Sequence, residues 1–217
     1  GSDPDADRVG LMVRNDKGEY ITITGNQTGV LLLDYLIGVK KRTGKMPEKP
    51  VALKTIVTTE MARKVAETNG LQCYDTFTGF KFLAEKKDKL ENAGEGKVIF
   101  AYEESYGYML GDYVRDKDAV TAAVALTEMA AWYAGQGKTL YDALQELYKK
   151  YGYYAEKTFN LVMPGRIIRT APWWTASPAR PPPWSSAAPT CCALRWPTAP
   201  PSSSVPPARS PRSRSTS

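Results

Sequence analysis

The sequence predicts an α/β fold in which a layered, mixed and mostly parallel sheet is flanked by helices. Two observations predict it. Three short runs rich in β-branched and aromatic residues have the length and composition of strands: "VALKTIVTT", "LQCYDTF" and "KVIFAYE". Longer segments with the length of helices alternate with these runs. The alternation favours a parallel sheet, because parallel strands need a crossover connection, which is usually a helix.

The first 43 residues predict a β-hairpin followed by a helix. Strands are expected at residues 9–13 and 20–24, because the residues between them, "NDKG", favour a turn. Residues 25–29 lead into the helical segment "VLLLDYLIGVKKR", whose last three residues are basic. Cations at a helix C-terminus interact favourably with the helix dipole. Residues 44–50 have the composition of a linker between domains.

The expected elements continue in order from residue 51 to residue 163. They are strands at residues 51–59, 71–77 and 97–103, helices at residues 60–69, 80–92, 118–133 and 140–151, a loop at residues 104–117, and an extended segment at residues 153–163. In the Ala-rich helix at 118–133, we expect the apolar residues Val120, Val124, Met129 and Trp132 to lie in the core.

Charge is divided unevenly along the 217 residues, whose net charge is +6. Residues 1–165 contain 22 Lys and Arg against 23 Asp and Glu, which disfavours a nucleic-acid-binding body. Residues 166–217 contain seven Arg, no acidic residue and twelve of the 16 prolines. We expect no folded domain in this low-complexity tail. It is either a disordered Pro/Ser/Arg-rich linker or RNA-binding arm, or the product of translation out of frame after about residue 165.

Cysteine content and hydropathy predict a cytoplasmic protein without a membrane partner. The three cysteines make no disulfide framework, which fits a reducing compartment. No apolar run reaches the roughly 18 residues that a membrane span needs. The N-terminal residues lack the charged and apolar regions of a signal peptide.

An acidic loop with the sequence "DPDADR" opens the chain. Alternating carboxylates at Asp3, Asp5 and Asp7 suit a hard divalent cation such as Mg²⁺, and a solvated acidic turn is the alternative interpretation. An EF-hand is disfavoured, because Arg8 replaces its glycine and Arg14 replaces its bidentate glutamate. Arg8 either binds a phosphate through its planar guanidinium or neutralises the loop.

Three further groups are placed where ligands bind in α/β sheets, beyond the ends of strands or at the start of a helix. Thr78 and Gly79 offer a hydroxyl and backbone N–H donors, although Thr-Gly is also an ordinary helix entry. Glu103 and Ser105 lie at the end of a predicted buried strand and are spaced to bind two neighbouring sugar hydroxyls. Lys117 precedes a helix, where a cation opposes the dipole, which favours an anion-binding or proton-transfer role.

Taken in order, "DPDADR", "TGFKF", "YEESYG" and "RDKD" resemble the α-D-phosphohexomutase family, which comprises the phosphoglucomutases and phosphomannomutases. The resemblance covers residues 1 to about 165, and segments such as "GNQTGVLLLDYL" are similar to the phosphoglucomutase and phosphopentomutase branch. Members of this family have four domains around one cleft. A phosphoserine transfers its phosphate to a hexose phosphate, giving a bisphosphate that reorients and returns the other phosphate.

The resemblance implies a role for each group. The implied Mg²⁺ ligands are Asp3, Asp5 and Asp7, the implied catalytic residues are Arg8 and Lys117, and the implied substrate-binding residues are Thr78, Gly79, Glu103, Ser105 and Lys117. The implied partners are glucose 1-phosphate, glucose 6-phosphate and glucose 1,6-bisphosphate, with mannose and pentose phosphates as alternatives.

The resemblance also implies a domain organisation. Residues 1–43 correspond to the end of the second family domain, residues 44–165 to the third, and residues 166–217 to the tail. The family's serine loop belongs to a domain before the metal loop, so we expect no turnover by this chain alone. The alternatives are a non-catalytic module that binds Mg²⁺ or sugar phosphates and, ranked last, an RNA-binding protein with a basic tail.

Overall fold

The structure, a computed structural model, describes residues 1–111 and 113–156. Its elements are β1 (Leu11–Arg14), β2 (Tyr20–Ile23), α1 (Gly25–Arg42), β3 (Pro50–Thr55), α2 (Glu60–Thr68), β4 (Gln72–Thr76), α3 (Phe80–Asn92), β5 (Lys97–Glu103), β6 (Gly107–Met109), α4 (Ala119–Ala134) and α5 (Leu140–Tyr151). The alternation confirms the predicted α/β class. Residues 157–163 of the predicted extended segment and the whole tail at 166–217 lie outside the described residues.

Four strands form one sheet in the order β4-β3-β5-β6. Strand β3 runs parallel to both β4 and β5, whereas β6 runs antiparallel to β5. The sheet is therefore mixed and mostly parallel, as predicted. Strands β1 and β2 form a separate antiparallel hairpin, which confirms the predicted turn between them.

The sheet is covered on both faces by helices. One face packs on α3 through Val51, Leu53, Phe80, Leu83, Leu90, Val98, Ala101 and Met109. The other face contributes Ala52, Phe100, Tyr102 and Tyr108 to a larger core that also contains residues of α1, α2, α4, α5 and the hairpin. Because the hairpin and α1 share this core, they pack directly with the elements that follow residue 44. The predicted domain boundary at residues 43 and 44 stays a prediction.

Helix α1 begins five residues earlier than its apolar run suggests. Its N-cap is Thr24, whose hydroxyl accepts a hydrogen bond from the Gln27 N–H (3.2 Å). The Gln27 side chain in turn accepts one from the Thr24 N–H (2.8 Å), which completes a capping box. This local motif draws Gly25 into the first turn, so the predicted lead-in at residues 25–29 is helical.

Two expectations for the second half of the chain are wrong. Residues 107–109 form strand β6 inside the predicted loop, because their backbone pairs with β5. On α4 only Met129 of the four expected core residues is buried, whereas Val120, Val124 and Trp132 are 65%, 64% and 43% exposed. The helix is rich in alanine and apolar on several sides, so its sequence does not mark the buried face.

None of the helices within residues 1–111 and 113–156 is long and apolar enough to cross a bilayer.

Candidate functional site

The carboxyl ends of three strands bring the candidate residues to one edge of the sheet. Strands β3, β4 and β5 are parallel and end at Thr55, Thr76 and Glu103. Parallel strands end at the same edge, so the segments that follow them, residues 56–59, 77–79 and 104–106, lie there together. The predicted residues Thr78 and Ser105 belong to two of these segments.

Glu103 is the most buried of the predicted site residues, at 7% exposure. Its Oε1 accepts a hydrogen bond from the Gly79 N–H (2.7 Å), and the Ser105 hydroxyl donates to its Oε2 (3.4 Å). Gly79 caps α3 with a φ of 111°, a conformation that favours glycine. The structure thus brings Glu103, Ser105 and Gly79 together, whereas Thr78 lies exposed beside them. A carboxylate has about four acceptor sites, and these two donors occupy two of them, so part of its hydrogen-bonding capacity is left for a ligand.

The acidic loop is a closed turn. The Asp3 carboxylate accepts hydrogen bonds from the N–H groups of Asp7 and Arg8 (both 3.2 Å), and the Asp3 carbonyl accepts one from Ala6 (3.1 Å). Ala6 has a φ of 56°, which costs energy for a residue other than glycine. The loop is therefore held in one conformation by hydrogen bonds of the Asp3 carboxylate and carbonyl, which offset the cost of that backbone conformation.

Backbone contacts dock this loop on the segment between β5 and β6 (the β5–β6 loop, residues 104–106). The Val9 N–H donates to the Tyr106 carbonyl (3.2 Å), and Arg8 forms an antiparallel bridge with Gly107. Tyr106 itself has a φ of 66°. The acidic loop and the segment that carries Ser105 therefore lie side by side in the structure, although about a hundred residues separate them in the sequence.

Lys117 links the acidic loop to the start of α4. Its Nζ lies 2.7 Å from Asp7 Oδ2 and 3.4 Å from Asp116 Oδ1. Burial lowers the pKa of Lys117, but the hydrogen bond to Asp7 and the charge of Asp116 raise it by more, so the pKa lies above its ordinary value. The same hydrogen bond is the main reason that the pKa of Asp7 lies below its ordinary value. At neutral pH the two groups form an ion pair.

The three loop carboxylates have different surroundings. Asp3 binds backbone N–H groups, Asp7 binds Lys117, and Asp5 is exposed. Within residues 1–111 and 113–156 no group of three or more His, Cys, Asp or Glu side chains is arranged to hold a metal ion. The chemistry of the donor set fits Mg²⁺, since oxygen ligands on one short loop are what this cation prefers. Binding by all three carboxylates would require them to turn toward a common point.

Sequence reasoning missed a buried polar group beside this edge. Lys54 is 1% exposed, and its Nζ contacts the Thr58 carbonyl (3.1 Å), Glu60 Oε1 (2.7 Å) and Asp75 Oδ1 (3.0 Å). Three ammonium protons thus meet three acceptors. The signal that could have identified it is a lysine inside the otherwise apolar and β-branched run "VALKTIVTT".

The chain is similar in sequence to a known protein family and to characterised relatives. Residues 24–151 match the family model described as phosphoglucomutase/phosphomannomutase, alpha/beta/alpha domain III. The matched range includes α1, which the sequence analysis assigned to the preceding domain. The chain is 33% identical over 165 residues to a phosphoglucomutase of Staphylococcus haemolyticus (strain JCSC1435), and 35% identical over 164 residues to one of Staphylococcus aureus (strain USA300). Each match covers 76% of this chain and 29% of the relative, so the chain spans less than a third of the length of these relatives.

Solved structures show the same fold. A phosphomannomutase-like protein of Thermus thermophilus matches with a TM-score of 0.54 and 24% identity, over 70% of this chain and 30% of that one. The open form of parafusin, a phosphoglucomutase of Paramecium, matches with a TM-score of 0.52 and 20% identity, over 70% of this chain and 24% of that one.

Proposed function

Because the chain belongs to the phosphoglucomutase/phosphomannomutase family, we propose that it supplies the sugar-binding part of a phosphohexomutase, an isomerase that interconverts hexose 1-phosphate and hexose 6-phosphate. The resemblance of its motifs implies transfer through a phosphoserine and a bisphosphate intermediate. Glucose phosphates are the proposed substrates, since the curated relatives are phosphoglucomutases. The cytoplasm is the proposed compartment.

The observation that carries the proposal is the buried Glu103 carboxylate at the carboxyl edge of the sheet. Burying a charge is costly unless it has partners, and here the two donors are a backbone N–H and a hydroxyl. A hexose offers neighbouring hydroxyl donors that would complete the carboxylate's hydrogen bonds. Ser105, two residues along and already bonded to Glu103, would bind the same sugar edge, with Thr78 beside it.

Lys117 would act on the phosphate or on a sugar oxygen. Its raised pKa keeps it protonated at neutral pH while it pairs with Asp7. In that state it is a cation and a proton donor, not a base. We therefore propose that Lys117 stabilises phosphate charge or donates a proton to the oxygen that leaves phosphorus.

The acidic loop is the proposed Mg²⁺ site, with Asp3, Asp5 and Asp7 as ligands and Arg8 beside the phosphate. When bound, the cation supplies positive charge that stabilises phosphoryl transfer. The docking of this loop on the β5–β6 loop, through Val9 and Tyr106, supports a single site for the phosphate and the sugar.

Calorimetric titration of the 217-residue chain with glucose 1-phosphate in the presence of Mg²⁺ tests the proposal. We expect Glu103→Gln and Ser105→Ala each to weaken binding about tenfold, since each removes a hydrogen bond to the ligand. Glu95→Gln, an exposed glutamate in the turn before β5, is the matched control. Mannose 1-phosphate and ribose 1-phosphate, titrated in parallel, decide the specificity. Binding that is unchanged in Glu103→Gln would contradict the proposal.

A further inference from the structure

Glu104 lies between the two proposed sugar ligands, yet its carboxylate contacts a different part of the site. Whereas Glu103 accepts from Gly79 after β4, Glu104 Oε2 lies 3.1 Å from the Thr55 hydroxyl and 3.3 Å from the Thr58 hydroxyl. Those two threonines lie at the end of β3 and in the turn that follows it. The side chain therefore ties the β5–β6 loop to the central strand of the sheet.

The number of hydroxyl protons shows why this contact needs an acceptor at Glu104. The hydroxyl oxygens of Thr55 and Thr58 are 2.6 Å apart, so with Glu104 they form three short oxygen–oxygen contacts. Two hydroxyls supply only two protons, so one hydroxyl donates to the other and the second donates to Glu104. The two threonines are 0% and 3% exposed. Without the carboxylate, one buried hydroxyl proton would lose its acceptor.

The threonine pair is itself held in place by a backbone hydrogen bond and by Lys54. The Thr58 N–H donates to the Thr55 carbonyl (3.0 Å), and the Thr58 carbonyl accepts from the buried Lys54 ammonium (3.1 Å). Lys54 is anchored in turn by Glu60 on α2 and Asp75 on β4. The two threonines that contact Glu104 are therefore fixed to the central strand of the sheet and to its neighbours.

The backbone of Glu104 is confined from the opposite direction by α1. A Cβ added to Gly25, the first residue of that helix, would lie 2.0 Å from the Glu104 carbonyl oxygen. The next residue but one, Tyr106, is held at a φ of 66°. In the β5–β6 loop, neighbours thus confine the side chain and the carbonyl of Glu104, and the carbonyl of Tyr106 is bound by the Val9 N–H.

From these contacts we propose that Glu104 is a positioning residue, which holds Glu103 and Ser105 in the orientation that binds the sugar without touching the sugar itself. This inference rests on the proposed function of Glu103 and Ser105. It gives the Thr55–Thr58 pair an indirect role in substrate binding, which the pair exerts through Glu104.

The first test measures the loop without any ligand. Hydrogen–deuterium exchange of the 217-residue chain, read by mass spectrometry on peptides that cover residues 103–107, is compared for wild type, Glu104→Ala and Glu104→Gln. We expect Glu104→Ala to raise exchange there about tenfold, with β3 and α5 unchanged, because one charge-assisted contact is lost. Glu104→Gln, which keeps one acceptor oxygen, should lie between them. Unchanged exchange at 103–107, or an equal rise throughout the chain, overturns the proposal.

The second test measures whether the contact of Glu104 with the threonines affects sugar-phosphate binding. Glucose 1-phosphate titrations should show about tenfold weaker binding for Glu104→Ala and for Thr58→Val, and near wild-type binding for Thr58→Ser, which restores the hydroxyl. Glu95→Ala serves as the control. Wild-type affinity in Glu104→Ala, with Glu103→Gln impaired, overturns the positioning role. No binding by wild type overturns the proposed function instead, and the ligand-free exchange then decides whether Glu104 holds the loop.

Discussion

Gly25 and Gly38 lie in the same helix, α1, and their replacement by alanine is expected to have opposite effects on stability. Replacing Gly25 by alanine adds a Cβ 2.0 Å from the Glu104 carbonyl oxygen and 2.9 Å from the Tyr106 nitrogen. Ordinary contact begins at 3.4 Å, so the gap must open by about 1.4 Å. Both obstructing atoms belong to the backbone, so no side-chain rotation relieves the clash. Either the helix start or the β5–β6 loop has to move.

The cost follows from that geometry. Overpacking typically destabilises by about 1–3 kcal/mol, and an obstacle made of backbone places this substitution at the upper end. The higher helix propensity of alanine offsets at most about 1 kcal/mol. We therefore expect Gly25→Ala to lower the free energy of unfolding by about 2 kcal/mol. The displaced loop carries Ser105, so glucose 1-phosphate binding should weaken as well.

Urea denaturation of wild type, Gly25→Ala and the matched control Gly38→Ala measures the effect. Gly38 lies in the same helix, and its added Cβ would meet the Arg42 guanidinium at 3.0 Å, which is the far end of an exposed, flexible side chain and not backbone. We expect Gly38→Ala to raise the free energy of unfolding by about 0.5–1 kcal/mol. If Gly25→Ala is as stable as wild type, or if both variants lose stability equally, the reasoning about close approach at Gly25 is refuted.

The remaining predictions concern a buried cation, a helix cap and a thiol. Lys54→Met should lower the free energy of unfolding by about 1–2 kcal/mol, because the Thr58 carbonyl loses its ammonium donor while Glu60 and Asp75 keep Arg63 as a cationic partner. The exposed control Lys64→Met should change it by less than about 0.5 kcal/mol in the same urea titration. Equal effects of the two would contradict the role of burial. Hydrogen bonds from the backbone and hydroxyl of Thr139 hold the pKa of Asp142 below its ordinary value of 3.8. The ionised carboxylate therefore stabilises α5 at pH values above 3.8, and this contribution is lost as the pH falls through the folded-state pKa. Asp142→Asn should therefore lower stability at about pH 6, and its difference from wild type should shrink toward about pH 3 in denaturation curves; a constant difference would refute the linkage. Burial raises the pKa of the Cys73 thiol to about 11, so its alkylation by iodoacetamide at about pH 8 should be about a hundredfold slower in the folded than in the urea-unfolded chain, as followed by peptide mass spectrometry, and equal rates would disprove the shift.

Local signals predicted much of the fold. Helix α3, strand β5 and helix α5 occupy the predicted residues one for one, at 80–92, 97–103 and 140–151. Their boundaries depend on interactions within a few residues, such as the capping box of Thr139 and Asp142 at the start of α5. Where the signal was weaker, the elements exist but their ends differ, as at α1, where the capping box at Thr24 was not recognised.

The candidate site divides in the same way. The sequence by itself determined which residue types stand at the ends of the parallel strands, such as Glu103 on β5, because strand–helix alternation places these positions at one edge of the sheet. It did not determine the partners of Asp7 or Glu104. Only the tertiary structure decided that Asp7 pairs with Lys117 and that Glu104 meets Thr55, because these residues are 110 and 49 positions apart and no local pattern encodes such contacts.

The same physical reason explains what the sequence left undetermined in the fold. Strand β6 has three residues and is a strand only because β5 lies beside it. The buried face of α4 was chosen by its neighbours, since alanine and valine on several sides of the helix offer no contrast between core and surface. Short-range chemistry thus determined the elements and the candidate residues of this chain, whereas long-range packing decided which faces are buried and which charges meet.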